Sequence, residues 1–209
     1  MFEVTNQTED YRVSVFGGER EQIEQFLRFV SADDVVWDIG ANVGVYSIFA
    51  SRTGATVHAF EPDPGFCEHL RRNVYLNGQE VTIHETALSD ETGTTTLYTD
   101  GTAGTSPSLS DTEENRDEVT VEMGRVDDID DTAWPDVVKI DVEGAEAAVV
   151  RGFGDRLAEI ETLFVELHPE MLPGFDSSVD EVRELIEAHG FEPTLEQRRE
   201  EQFHVIYQQ

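Results

Sequence analysis

Lysine is nearly absent from this 209-residue chain. Of 14 basic residues, 13 are arginine, and Lys139 is the sole lysine. Cysteine is as scarce. The single Cys67 excludes an internal disulfide and a zinc cluster built from cysteines. No apolar run approaches the ~20 residues that span a bilayer, so no membrane insertion is expected. The opening segment MFEVTNQTED has no basic-then-apolar leader pattern, and a cytoplasmic protein is the expectation. Basic patches are missing too, which argues against a nucleic-acid partner.

What the chain has is acid. Its 45 Asp and Glu leave a formal net charge of −31, spread along the whole length. Apolar residues make up 38% and are periodic, which a disordered acidic chain lacks. Such a charge destabilises a compact state in dilute buffer. At ~1 M salt the Debye length shrinks to about 3 Å and most of that repulsion is screened. Excess acid, scarce lysine and ample threonine resemble halophilic cytoplasmic proteins, so an origin in high salt is expected.

The apolar pattern predicts one α/β domain over residues 1–209. Residues 1–30 read as an extension, with a strand at 11–16 and a helix carrying Ile23, Phe26, Leu27 and Val30 on one face. A strand–helix rhythm follows. Strands are predicted at 34–38, 56–61, 81–85, 136–141 and 162–168, with helices over 44–53, 64–76, 144–151 and around Val182 and Ile186. That alternation implies a mostly parallel sheet with right-handed crossovers and helices on both faces. Residues 94–98 and 119–123 read as an antiparallel pair, and 191–195 and 202–207 as the last two strands. Between the pair, the Gly-, Ser- and acid-rich segment 100–118 reads as a lid or a disordered loop.

Three segments point to a bound adenosine-type cofactor. Asp38-Ile39-Gly40-Ala41-Asn42-Val43-Gly44 joins a strand to a helix, where glycines admit close backbone approach. Asn42 replaces the middle glycine of the dinucleotide pattern, and Asp38 suits an ammonium better than a pyrophosphate. Glu61, before Pro62 at the next strand end, can accept both hydroxyls of a ribose. Thr86 and Ala87, after the third strand, are placed to flank an adenine. A plain strand–helix turn and a solvated Glu are the bland alternatives.

DIGANVGVYS, HAFEPDP, HETALSD, VVKIDVEGAE and FVELHP lie in an order and spacing that resemble the FkbM-family methyltransferases, over roughly residues 34–170. The resemblance implies a Rossmann-like class I fold, a seven-stranded sheet with its last strand antiparallel, S-adenosyl-L-methionine (SAM) as cofactor, and methylation of a hydroxyl on a glycan, lipid or small molecule. It leaves the acceptor and the oligomeric state open.

The acceptor side is expected at Lys139, Asp141 and Glu143 and at Glu166 and His168. Spacing by two puts each set on one face of an extended backbone. Asp141 or His168 is expected to take the hydroxyl proton, with Glu143 and Glu166 orienting the acceptor and Lys139 paired to Asp141 or Glu143. Asp141 also borders the cofactor. Asp141, Glu143, Glu166 and His168 could instead hold a divalent metal, but they form no compact ligand motif, and no metal is expected. Rival readings are a carboxyl or N-methyltransferase on the same fold, an NAD(P)-dependent reductase, and a non-catalytic binding domain.

Overall fold

The computed structural model describes residues 1–2, 19–99, 117–130, 132–199 and 201–209. The strand expected at 11–16 and the loop 100–118, as far as residue 116, lie outside the described residues.

The elements, in chain order, are α1 (Arg20–Phe26), β1 (Val35–Ile39), α2 (Val45–Ser51), β2 (Thr56–Phe60), α3 (Pro64–Asn77), β3 (Thr82–His84), β4 (Ala87–Ser89), β5 (Gly93–Thr99), β6 (Asp117–Arg125), β7 (Val137–Ile140), α4 (Glu146–Phe153), β8 (Thr162–Leu167), α5 (Val179–Glu187), β9 (Glu192–Arg199) and β10 (Gln202–Gln208). The main sheet runs β3-β2-β1-β7-β8-β10-β9. The β1–β2, β2–β3, β1–β7 and β7–β8 pairs are parallel. β10 runs antiparallel to both of its neighbours. This is the Rossmann-like sheet the sequence predicts.

The helix boundaries have local causes. Asp63 accepts hydrogen bonds from the backbone N–H of Gly65 and Phe66, and Pro64 takes the first helical position, so α3 starts there. Gly78, at φ 60°, ends it in the left-handed conformation. Ser178 caps α5 through the N–H of Glu181.

Alternation along the strands divides the apolar residues between two faces. Trp37, Val138, Leu163, Val165 and Val205 pack against Val149 and Phe153 of α4 and Val182 and Ile186 of α5. Val36, Val137, Phe164 and Ile206 face the other way, against Ile23 and Phe26 of α1 and Tyr46 of α2. Removing one such ring, as in Phe153→Ala, costs about 3–5 kcal/mol.

A second sheet, β4-β6-β5, holds the expected antiparallel pair β5–β6 and one strand the pattern did not announce. β4 pairs parallel with β6, Ala87 against Met123. It lies so close to α4 that a Cβ on Gly152 would fall 2.0 Å from the Ser89 carbonyl oxygen.

Candidate active site

The register places the site. On the α1/α2 face, the apolar row of Val36, Val137 and Ile206 gives way to polar residues toward the strand C-termini. Asp38 is the direct neighbour of Lys139, and Glu166 that of His204. Neighbours in register project to the same side. A line of ionisable side chains therefore crosses β1, β7, β8 and β10, where open α/β sheets bind their ligands.

Lys139 is 3% exposed, and its ammonium is saturated by the protein. It donates to the Gly40 carbonyl at 3.0 Å, lies 3.3 Å from Asp38 Oδ1 and 3.2 Å from Asp141 Oδ2, and sits over the Tyr46 ring. Burial alone would lower its pKa, but the charges of Asp141 and Asp38 raise it well above the ordinary value. The partner beside Asp141 is thus Asp38 and not Glu143. Asp38 itself is fully buried. Its Oδ2 accepts from the backbone N–H of Ser47 at 3.0 Å and from the Ser47 hydroxyl at 2.5 Å. The carboxylate expected to meet the cofactor's ammonium is bonded to α2 through Oδ2 and paired with Lys139 through Oδ1.

The loop after β1 is fastened to the end of β2. Gly40 and Ala41 both donate to the Phe60 carbonyl, and the Asn42 N–H donates to Glu61 Oε2 at 2.8 Å. Gly40 and Gly44 take φ +77° and +85°. A Cβ on Gly40 would sit 1.8 Å from the Asp141 carbonyl oxygen, and one on Gly44 2.0 Å from Leu70 Cδ1. The glycines are needed for the loop's packing on its own protein, whatever approaches from the other side.

Glu61 is 4% exposed. Burial lifts its pKa to about 7, against the lowering effect of the Asp63 and Asn42 N–H groups. A carboxylate offers roughly four acceptor sites. The two N–H groups use one on each oxygen, which leaves capacity for the two hydroxyls of a ribose. The residues present fit an adenosine-bearing cofactor. Pro62 leads directly into the Asp63 cap. Thr86 donates to the Ala87 and Glu122 carbonyls, and Ala87 is buried in β4, so both are built into the small sheet.

Asp141, Glu143 and His168 come together, each offering a ligand atom within 4.8 Å of the others. His168 is 2% exposed. Its Nδ1 lies 2.5 Å from Glu146 Oε1, and its Nε2 lies 3.7, 3.5 and 3.8 Å from Asp141, Glu143 and Glu166. Burial would lower its pKa, but the Glu146 hydrogen bond and the surrounding carboxylates raise it to about 10. Glu166 is pushed up to about 9, by burial first and then by Asp141. Burial also raises Asp141, but Lys139 and His168 outweigh it, and its pKa falls below the ordinary value. β7 and β8 end at Ile140 and Leu167, and Glu143 reaches the cluster through a turn with φ 53°, not through continued strand alternation.

Two members escaped the sequence reading. Glu146, fully buried, reads as an ordinary first-turn acid of α4, yet it also accepts the Gly144 N–H. His204 on β10 stands 3.5 Å from Glu166 Oε2, and burial pushes its pKa down to about 4. The alternation of QFHVIY faces His204 with Ile206, a signal that a buried-histidine search would have caught.

Comparison with known proteins identifies the family. The model of the Methyltransferase FkbM domain matches residues 38–193. The hexuronic acid methyltransferase AglP of Haloferax volcanii is 30% identical over 172 residues, covering 82% of this chain and 72% of that protein. The 31-O-demethyl-FK506 methyltransferase FkbM of Streptomyces tacrolimicus is 30% identical over 199 residues, covering 78% and 75%. Among solved structures, magnesium protoporphyrin IX methyltransferase from Synechocystis, with bound SAM, superposes at a TM-score of 0.58 over all of this chain and 86% of its own. Its 13% identity speaks to fold alone. The chain belongs to the FkbM family and is a SAM-dependent methyltransferase.

Proposed function

We propose that the chain methylates a hydroxyl of a glycan or small-molecule acceptor. The observation that carries this reading is the acid–imidazole cluster at the ends of β7 and β8, next to the glycine loop. The relatives' names give as acceptors a hexuronic acid, which bears a carboxylate as well as hydroxyls, and 31-O-demethyl-FK506.

SAM, when bound, supplies a methyl group on a positively charged sulfur. Glu61 holds the ribose, and the backbone from Gly40 to Gly44 borders the methionine end. Asp38 acts indirectly, by fixing α2 and Lys139, and Lys139 in turn fixes the Gly40 carbonyl and Asp141. Thr86 and Ala87 set the backbone beside the adenine. Asp141 would take the hydroxyl proton as the acceptor oxygen displaces S-adenosylhomocysteine from the methyl carbon. It is the most exposed member of the cluster, with 26% of its side chain exposed against 19% for Glu143 and 2% for His168. His168 therefore orients, together with Glu143 and Glu166. The chain works as a single domain in the cytoplasm of a high-salt cell. No helix among the described residues is long and apolar enough to cross a membrane.

The test is single-turnover methyl transfer in molar KCl, with hexuronate and neutral-sugar acceptors. Asp141→Asn should cut turnover by about 10²–10⁴ while leaving affinity for S-adenosylhomocysteine nearly intact. Full activity in both Asp141→Asn and His168→Gln would overturn the base-assisted mechanism. Transfer to carboxylates alone would overturn the hydroxyl assignment.

A further inference from the structure

We infer that Asp141, Glu143 and His168 form a binding site for one divalent cation, with Glu166 at its edge. An acidic cluster alone would not carry this, because this protein is acidic throughout. The imidazole carries it. His168 is 2% exposed, and its ring is fixed through Nδ1 by Glu146, a carboxylate that is itself fully buried. Among the described residues, Nε2 has no hydrogen-bond partner. It points into three carboxylates, all at 3.5–3.8 Å, close enough to attract and too far to bond.

That is the arrangement of a metal-bound histidine. One nitrogen donates to a carboxylate, which sets the tautomer, and the other presents its lone pair to the ion. The spacing also fits. Two ligand atoms ~2.2 Å from an ion, at angles of roughly 90–120°, stand about 3.1–3.8 Å apart. The Nε2–oxygen distances fall within that range. His204 adds to the case. It is 2% exposed, neither ring nitrogen has a hydrogen-bond partner among the described residues, and Nδ1 faces the second oxygen of Glu166. A divalent ion would fill the gap between these ligand atoms and offset the crowded carboxylates.

Oxygen ligands with one imidazole suit Mn²⁺ or Mg²⁺ better than a thiophilic metal. Asp141 and Glu143 keep 26% and 19% of their side chains exposed, so an ion would have an open side. There it would coordinate and polarise an acceptor hydroxyl. This role rests on the hydroxyl-transfer reading above, but the binding of the ion does not.

The experiment is titration of the metal-stripped full chain with Mn²⁺ in molar KCl, without cofactor or acceptor, read by the loss of the free-ion paramagnetic resonance signal. One saturable ion per chain is expected. Glu143→Gln and His168→Gln should each weaken it by about 10–100-fold. Glu143 lies at the mouth of the cluster and tests the site where His168→Gln fails to fold. Its circular dichroism and S-adenosylhomocysteine affinity should match the parent chain. Glu146→Gln should weaken the ion without removing a ligand. No saturable Mn²⁺ binding by the parent chain would overturn the proposal, as would binding equal to the parent's in a folded Glu143→Gln.

Discussion

Lys139→Met is the most informative single change, because it separates a structural ammonium from a dispensable one. Methionine keeps most of lysine's apolar stem and removes the ammonium, with its charge and its hydrogen-bond donors. The ammonium lies 3.3 Å from Asp38 and 3.2 Å from Asp141, and donates to the Gly40 carbonyl. The Asp38 side chain is 1% exposed and that of Asp141 26%, so water can relieve only the second. Breaking a buried pair by removing one partner costs about 3–5 kcal/mol, since the other charge stays buried and uncompensated. In a chain of this size each kcal/mol shifts the melting temperature by roughly 2–4 °C, so a drop of ~6–20 °C is expected. Differential scanning calorimetry in molar KCl reads it, because high salt screens the surface but not a buried pair. A second variant fixes the cause. Adding Asp38→Asn to Lys139→Met should recover part of the loss, although Asp38→Asn alone destabilises. A drop under about 2 °C, or strictly additive losses in the double variant, would refute the claim that this ion pair holds β1 to β7.

Other consequences can be measured directly. Glu61→Gln should weaken S-adenosylhomocysteine by roughly 1–3 kcal/mol in calorimetry, and an unchanged affinity would place the ribose elsewhere. The Glu61 pKa of about 7 stands above the ordinary 4.5, so the cofactor-free fold favours the protonated acid and loses that preference as pH rises through 7. Ribose donors favour the ionised form, so affinity should climb across the same window and stay flat in Glu61→Gln. The charge of −31 predicts a melting temperature that rises markedly from low salt to molar KCl, and a flat profile would remove the halophile reading.

Much of this architecture was legible because each strand of the main sheet carries its own pattern. VVWD, TVHAF, VVKI and TLFVEL are buried on both faces, and buried parallel strands read as continuous apolar runs. Asp141, Glu143, Glu166 and His168 were legible as strand-end polar residues. Their partners were not. Lys139 meets Asp38 across a parallel register, 101 residues apart in the chain, and local spacing is blind to register. Nor does the sequence show that Asp38 accepts from Ser47 and pairs with Lys139. Ala87–Ser89 is too short for alternation to declare a strand, and only its pairing with β6 makes it one.

The position of β10 bears on how the chain must be made. It follows β9 in sequence yet lies inside the sheet, between β8 and β9. Until residues 202–208 are in place, β8 presents TLFVEL as an open edge, with its whole row of backbone donors and acceptors unmatched. Such an edge templates pairing with other chains. A ribosome that stops short of Gln202 would therefore release not a smaller enzyme lacking His204 but an aggregation-prone chain. The strand that completes the polar row is also the one that makes the protein safe to leave the ribosome.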